Sequence, residues 1–363
     1  MLIMEKLDCR GCLEGEMHAI CLENGLKKFR AHQVFNWVNA RGVHHWDEMK
    51  NIGKQDSEWL NRVFFIQPLT VLREQRSADG TRKFLFRLAD GESIETVLMD
   101  YDHLTSRDRH TLCVSTQVGC PVGCPFCATG MDGFHRNLTA GEITGQVLEI
   151  SRLLQQEDPE FKVTNIVFMG MGEPFLNYDA VMKAIRILNS ENGQNIGMRR
   201  MTISTSGVAP KIIQLAQDNP QVGLAVSLHS VRDEVRDTLV PINRRYPLQE
   251  LLEACRYYSN QTNRRITFEF ALHQQNVSKE EAEKLVVLLK GMLAHVNLIP
   301  INPVIGSGVQ RAGKERLTMF KRVLETGKIP VSIREEKGLD INAACGQLRQ
   351  RLECEEYASL KQS

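Results

Sequence analysis

Three cysteines lie in one short run, Gly119-Cys120-Pro121-Val122-Gly123-Cys124-Pro125-Phe126-Cys127. Their spacing, C-x3-C-x2-C, supplies three thiolates. A cubane iron–sulfur cluster has four iron corners and is usually held by four cysteines. Three ligands leave one iron open, and an open iron can bind a substrate. A structural zinc site wants four closed ligands, often as two C-x2-C pairs, and no second pair follows Cys127 at that distance. The spacing favours a cluster at Cys120, Cys124 and Cys127, with a zinc-stabilised protein as the alternative.

Other residues are of types that could serve such a centre. Gly170-Met171-Gly172-Glu173-Pro174 combines glycines, which let backbone approach a ligand, with an acid that suits a cationic amine. A tight turn with a capping glutamate would look the same. Ser204-Thr205-Ser206-Gly207 and Ser227-Leu228-His229-Ser230 offer hydroxyls for a carboxylate or ribose, although helix capping is the commoner use. Asn302 precedes Pro303 and reads equally as a turn former. Cys113, and Cys345 in Ala343-Ala344-Cys345-Gly346, are each core cysteines by default. The glycine after Cys345 suggests instead a loop that lets a thiol approach something.

Regular elements must carry these residues. Short apolar runs at Leu112–Gln117, Asn165–Met169, Arg200–Ser204, Gly223–Ser227, Ile266–Ala271, Val296–Ile299 and Val331–Arg334 read as strands. Amphipathic stretches between them, among them Ala140–Leu154, Tyr178–Ser190, Pro210–Asp218, Leu248–Ser259, Lys279–Met292 and Lys314–Thr326, read as helices. This alternation predicts an α/β fold with a parallel sheet, curled into a partial (β/α)6 barrel. Such barrels carry chemistry at the C-terminal ends of strands, where the cysteines and most of the motifs fall. Residues 10–65 read as a small helical module, and 70–99 as three alternating strands. The expected division is a helical module over 1–68, a hairpin or meander linker over 69–105, the barrel over 106–348 and a tail over 349–363.

The composition is that of a globular chain: 363 residues, 42% hydrophobic and 25% charged. No apolar run reaches transmembrane length and no signal segment opens the chain, so the expected location is the cytoplasm. Ten cysteines there point to metal or redox chemistry rather than a disulfide framework. A net charge of +1 does not advertise nucleic-acid binding, although Arg199-Arg200, Arg244-Arg245 and Arg264-Arg265 are local basic pairs.

Taken together, Thr111-Leu112-Cys113-Val114-Ser115-Thr116-Gln117-Val118-Gly119-Cys120, Arg136-Asn137-Leu138-Thr139, the Gly-Met-Gly-Glu-Pro loop, Val240-Pro241-Ile242-Asn243 and Ala343-Ala344-Cys345-Gly346-Gln347-Leu348 resemble the RlmN/Cfr radical S-adenosylmethionine (SAM) methyltransferases of RNA adenine. The resemblance runs from about Lys28 to Leu348. Glycine-methionine-glycine-glutamate-proline and Ser204-Thr205-Ser206-Gly207 look more like RlmN, which acts at adenine carbon 2, than Cfr, which acts at carbon 8.

The resemblance implies a 4Fe-4S cluster on Cys120, Cys124 and Cys127, with SAM on its open iron and contacts from Gly172, Glu173, Ser204, Ser227, Leu228, His229 and Asn302. It implies that Cys345 becomes S-methylcysteine and delivers the methyl carbon. Cys113 then resolves the adduct through a transient disulfide with Cys345, and Glu95 accepts a proton. Implied partners are 23S ribosomal RNA, transfer RNA and a reductant such as flavodoxin. A monomer and an RNA-recognising role for the N-terminal module are expected. Two departures stand out. The stretch from Glu95 to Cys113 is longer than in some bacterial members. Glu335-Glu336 stands where some members are basic, and two acids there would repel phosphate. Cys9, Cys12, Cys21, Cys255 and Cys354 have no role in the scheme, and Cys9-x2-Cys12 reads as incidental. The competing functions are a Cfr-like carbon-8 methyltransferase, a radical SAM enzyme acting on protein or a small molecule, and a zinc-stabilised RNA-binding protein.

Overall fold

The computed structural model describes residues 6–101, 109–218, 221–274, 276–302, 304 and 307–348. The tail 349–363, with Cys354, lies outside them, as does Pro303. Helices α1 (Glu14–Glu23), α2 (Lys28–Asn39) and α3 (Lys54–Val63) form the N-terminal module, tied by a short parallel pairing of β1 (Leu7–Asp8) with β2 (Phe64–Phe65). In α2 the buried Ala31, Val34, Phe35 and Val38 follow helical spacing, so one face is apolar. That face packs with Leu60, Phe64 and the buried Cys9, Cys12 and Cys21 into a core of its own. Burial pushes the Cys12 thiol up to about 12 and that of Cys21 to about 11, so these cysteines behave as small hydrophobes.

A large sheet organises the remainder. Strands β3 (Thr70–Arg76), β4 (Arg82–Arg87) and β5 (Ser93–Tyr101) form an antiparallel meander. β5 pairs antiparallel with β6 (Arg109–Cys113), so the meander extends the same sheet as the barrel strands. The parallel strands are β6, β9 (Asn165–Phe168), β10 (Met201–Thr205), β11 (Gly223–Ser227), β12 (Ile266–Leu272), β13 (Ala294–Pro300) and β14 (Val331–Ile333). Between β6 and β9 come β7 (Gln117–Gly119), α4 (Ala128–Met131), β8 (Phe134–Asn137) and α5 (Ala140–Leu154). The later crossovers are α6 (Tyr178–Asn189), α7 (Ala209–Asp218), α8 (Asp233–Leu239) with α9 (Leu248–Thr262), α10 (Lys279–Leu289) and α11 (Lys314–Thr326). This is the expected parallel β/α architecture. Central strands such as β12, buried at nearly every position, read as continuous apolar runs because helices cover them.

The sequence predicts one strand over Leu112–Gln117, but the chain leaves the sheet after Cys113. The backbone beyond it serves the glycine loop instead: Gly170 N–H donates to Val114 O, and Thr116 and Gln117 N–H donate to Met171 O. The strand then restarts as β7, in a separate ribbon with β8. The Arg136-Asn137-Leu138-Thr139 motif starts α5. Thr139 and Glu142 form a reciprocal cap, and Arg136 grips both oxygens of Glu142 at 2.8 Å.

The N-terminal module is tied to α5 through the fully buried Arg10, which donates to Glu149 at 2.6 Å, while His44 lies 2.8 Å from the other oxygen. Asp8 lies beside this contact, and a Cβ on Gly141 would fall on its carboxylate. Burial pushes the Asp8 carboxyl up to about 6 against the opposing Arg10 N–H. A raised folded pKa favours the protonated form. The contribution of Asp8 is therefore complete below about pH 4 and is lost as pH rises through about 6. Asp8→Asn is expected to raise stability at about pH 7.5 by on the order of 1–3 kcal/mol, and to give no gain at about pH 4. Thermal melting at the two pH values checks this. An equal effect at both would show that the charge is not responsible.

Candidate functional site

A cavity of about 180 Å³ opens at the C-terminal ends of the parallel strands. Cys120, Cys124 and Cys127 all line it, each half-buried. Gly119 at φ +73° and Gly123 at φ +72° turn their loop. A Cβ on Gly130 would lie 2.9 Å from the Cys124 backbone, so α4 can close on the loop only with glycine there. Val122 packs with Leu239 and Val240 beneath the cysteines. Burial pushes all three thiols up, that of Cys120 to about 12. Iron would displace their protons on binding.

The opposite wall carries the glycine loop after β9. A Cβ on Gly170 would lie 2.7 Å from Ser115 Oγ. Gly172 has φ +104°, and a Cβ there would lie 2.6 Å from Cβ of Gln117. Gly172→Ala is therefore expected to cost on the order of 1–3 kcal/mol locally. It should weaken SAM binding to the anaerobic enzyme by about tenfold or more, as read by calorimetry. Unchanged affinity would show that the loop does not shape the cofactor site.

Glu173 faces this cavity and also caps its own turn. Its Oε1 accepts from Phe175 N–H at 3.0 Å, and Oε2 accepts from Ser206 N–H and Oγ–H at 2.7 and 2.6 Å. Burial pushes its carboxyl up against those donors. Thr205 Oγ1 caps the start of α7, the commoner use of such a hydroxyl. Ser204, Ser227, His229 and Asn302 line the cavity. Leu228 does not: its side chain is fully buried in the core, and its backbone oxygen accepts from Arg236. His229 holds φ +59°, a strained conformation for a non-glycine. Its Nδ1 accepts from Ala271 N–H at 3.0 Å, and burial drops its pKa to about 3, so the ring is neutral. Asn302 Nδ2 donates to Cys345 O, while among the described residues its buried Oδ1 has no partner. An orphaned acceptor in a cavity wall suits a ligand donor.

A second cavity adjoins the first. Cys113, Val97, Met99 and Tyr101 line it from β5 and β6. Cys345, Arg334 and Asn302 line both cavities. Cys113 and Cys345 are both free thiols and share the second cavity. Burial and the neighbouring Cys345 push the Cys113 thiol up to about 12, and Arg334 opposes this. The Cys345 loop is seated by Gly346, whose O accepts from Ala128 N–H at 2.7 Å.

Glu95 lines neither cavity among the described residues. It is buried on β5, ion-paired to Lys83 at 2.9 Å. At the two ends of the long stretch between it and Cys113, β5 and β6 pair antiparallel, with Val97 opposite Cys113. Ser115 Oγ–H donates to Glu95 O at 2.6 Å, which ties β5 to the backbone just after Cys113. Glu336 forms a bidentate pair with Arg311 at 2.9 and 2.7 Å, so much of its expected repulsion toward phosphate is neutralised.

Three residues escaped the sequence reading. Arg236 is fully buried. It donates to Leu228 O, Ser227 O, Ser206 O and Asn243 Oδ1, which locks the loops after β10 and β11 together. Asn243, in the Val240-Pro241-Ile242-Asn243 motif, is its only side-chain partner among these. Glu269, buried on β12, lines the cofactor cavity 3.7 Å from Arg334, and burial pushes its carboxyl up. Cys345 first, then Glu269 and Cys113, hold the Arg334 guanidinium firmly charged.

The donor set fits a cubane cluster. Three thiols stand around one cavity, facing a glycine loop, an acid and an orphaned amide oxygen. Among the described residues no three His, Cys, Asp or Glu side chains converge on a single metal ion. A β/α sheet bearing such a site defines a radical SAM enzyme, with a 4Fe-4S cluster and SAM as its cofactors. The Radical SAM superfamily model matches residues 114–289, and that of the ribosomal RNA large subunit methyltransferase N-terminal domain matches 10–66. A probable dual-specificity RNA methyltransferase RlmN of Desulfitobacterium hafniense (strain Y51) is 62% identical over 98% of this chain and all of its own. Its counterpart in Heliobacterium modesticaldum is 47% identical over 97% of this chain and 91% of its own. The crystal structure of a radical SAM methyltransferase from Sphaerobacter thermophilus superposes with a TM-score of 0.89 at 46% identity, covering 95% of this chain and all of that one. The chain belongs to the RlmN family of radical SAM RNA methyltransferases. No helix among its described residues is long and apolar enough to cross a membrane.

Proposed function

We propose that this enzyme transfers a methyl group to carbon 2 of adenosine in large-subunit ribosomal RNA and in transfer RNA, with Cys345 as the methyl carrier. The position of Cys345 on the wall common to both cavities carries this reading. When bound, the cluster and SAM supply the radical chemistry that an unactivated aromatic carbon needs. The chain's residues do the rest. Cys120, Cys124 and Cys127 hold the cluster. Gly172, Glu173, Ser204, Ser227, His229 and Asn302, with backbone at Leu228, hold SAM. Cys345 receives the methyl group and presents it to the adenine in the second cavity. Cys113 attacks the Cys345 sulfur to free the product, and Glu95 takes the proton lost from the base. Residues 1–68 recognise RNA, 69–105 bridge, and 106–348 carry the chemistry. A reductant of the flavodoxin kind restores the thiols. The enzyme acts as a monomer in the cytoplasm.

Carbon 2 is favoured over the Cfr-like carbon 8 by the Gly170–Pro174 and Ser204–Gly207 motifs and by relatives named RlmN. The dual specificity in those names supports two RNA substrates. The test is anaerobic turnover with methyl-labelled SAM on both RNAs, followed by mass spectrometry of the nucleosides. 2-Methyladenosine is expected from each. 8-Methyladenosine, or label confined to protein, would sink the reading.

A further inference from the structure

The segment that carries Cys345 is held from outside the barrel. Three contacts come from β4 and from the turn between β3 and β4. Asp340 accepts from Ser77 Oγ–H at 2.5 Å and Ala78 N–H at 3.1 Å. In return, Asp79 accepts from Gly338 N–H at 2.9 Å. Thr81 packs where a Cβ on Gly338 would lie 3.0 Å from its methyl group, and φ +66° at Gly338 lets the loop turn there. The third contact is the deepest. Lys83 Nζ, on a side chain only 9% exposed, donates to Asn342 O at 3.3 Å and pairs with Glu95 at 2.9 Å.

Sheet register gives Lys83 its reach. Lys83 lies opposite Val97, and Val97 lies opposite Cys113. Directly opposed residues project to the same face, so Lys83, Val97 and Cys113 form one row across it. Glu95 is two residues from Val97 on β5 and shares that face. The Cys345 loop lies over the row. Its Asn342 end rests on Lys83, and its thiol end shares the second cavity with Cys113.

We infer that Lys83 is a positioning residue for methyl transfer: it pins the base of the Cys345 loop to the face that presents Cys113, and it holds Glu95 against the same face. The inference rests on the reading of Cys345 as methyl carrier. A buried ammonium bridging a carboxylate and a backbone carbonyl is costly to leave half-partnered. Lys83 therefore ties loop and strand into one frame. A carrier thiol must meet its donor and then its acceptor within fractions of an ångström, and a loop free at its base would do so rarely.

The test compares Lys83→Met and Lys83→Arg in the anaerobic, cluster-loaded enzyme. Hydrogen exchange across residues 335–348 is read alongside kcat and KM for RNA. Lys83→Met is expected to raise loop exchange at least about tenfold. It should lower kcat about 100-fold with KM for RNA unchanged. Lys83→Arg should recover kcat to within about tenfold, since it keeps the charge and a donor. Wild-type loop exchange in Lys83→Met overturns the inference. So does a rise in KM with kcat intact, which would make Lys83 an RNA phosphate contact. A Cys345→Ala arm separates the two readings. If that variant still methylates RNA, the carrier role falls, and loop exchange alone then decides whether Lys83 pins the loop.

Discussion

Replacing Cys345 with alanine is expected to abolish methyl transfer to RNA, a loss of at least about 1,000-fold, while iron content and the melting temperature stay at wild-type values. The expectation follows from which thiols reach both cavities. Among the described residues only Cys127 and Cys345 line the two together, and Cys127 belongs to the C-x3-C-x2-C ligand set. Cys345 is thus the thiol free to take a methyl group on one side and present it on the other. Alanine should not disturb the fold, because the loop is seated by backbone: Asn302 on the carbonyl of residue 345, Ala128 on that of Gly346, and Thr129 on that of Leu348. The measurement is transfer of label from methyl-labelled SAM to RNA, with iron assayed on the same sample. Label on RNA at the wild-type rate would remove Cys345 from the pathway.

What the sequence made legible divides along physical lines. Ala140–Leu154 and Lys314–Thr326 match their observed helices at both ends. Each has a periodic apolar face, and the first also has a reciprocal cap, so local information suffices. The break after Cys113 was hidden, because Val114 to Gln117 keep a strand-like pattern while their backbone groups turn to a loop more than 50 residues away. The short α8 was missed too. It is mostly polar outside and is shaped by one buried arginine. The cysteine triplet was readable because its ligands are close in sequence. The Cys113–Cys345 relationship was not readable from spacing and came from the resemblance alone. Arg236, Glu269 and Lys83 escaped because their partners are backbone carbonyls or distant side chains, and nothing in the local sequence marks such pairings. Leu228 marks a different division: its side chain fills the core, so any part it plays at the cofactor falls to its backbone.

Replacing Cys113 with alanine should fail at a different stage. Methylation of Cys345 should proceed, and the RNA should then remain covalently joined to the protein, with free methylated RNA down at least about 1,000-fold. Release needs a second thiol close to the Cys345 sulfur. In the second cavity Cys113 is the one, among the described residues, that the cluster does not claim. Its electrostatics suit that late step better than the resting state. At rest, burial and the Cys345 thiol both hold the Cys113 proton on, with the thiol up at about 12, while Arg334 and a hydrogen bond to the Met169 backbone oppose. Once the Cys345 sulfur carries carbon, it can no longer ionise, so its opposition vanishes while the Arg334 cation stays. The Cys113 thiolate therefore becomes easier to form only when there is an adduct to cleave. Arg334→Met should consequently lengthen the life of the same adduct without preventing its formation. A denaturing gel of labelled RNA reads both variants directly, since the adduct migrates with protein. Free product at wild-type yield from Cys113→Ala, with no slow-migrating RNA, would mean that some other group breaks the carbon–sulfur bond.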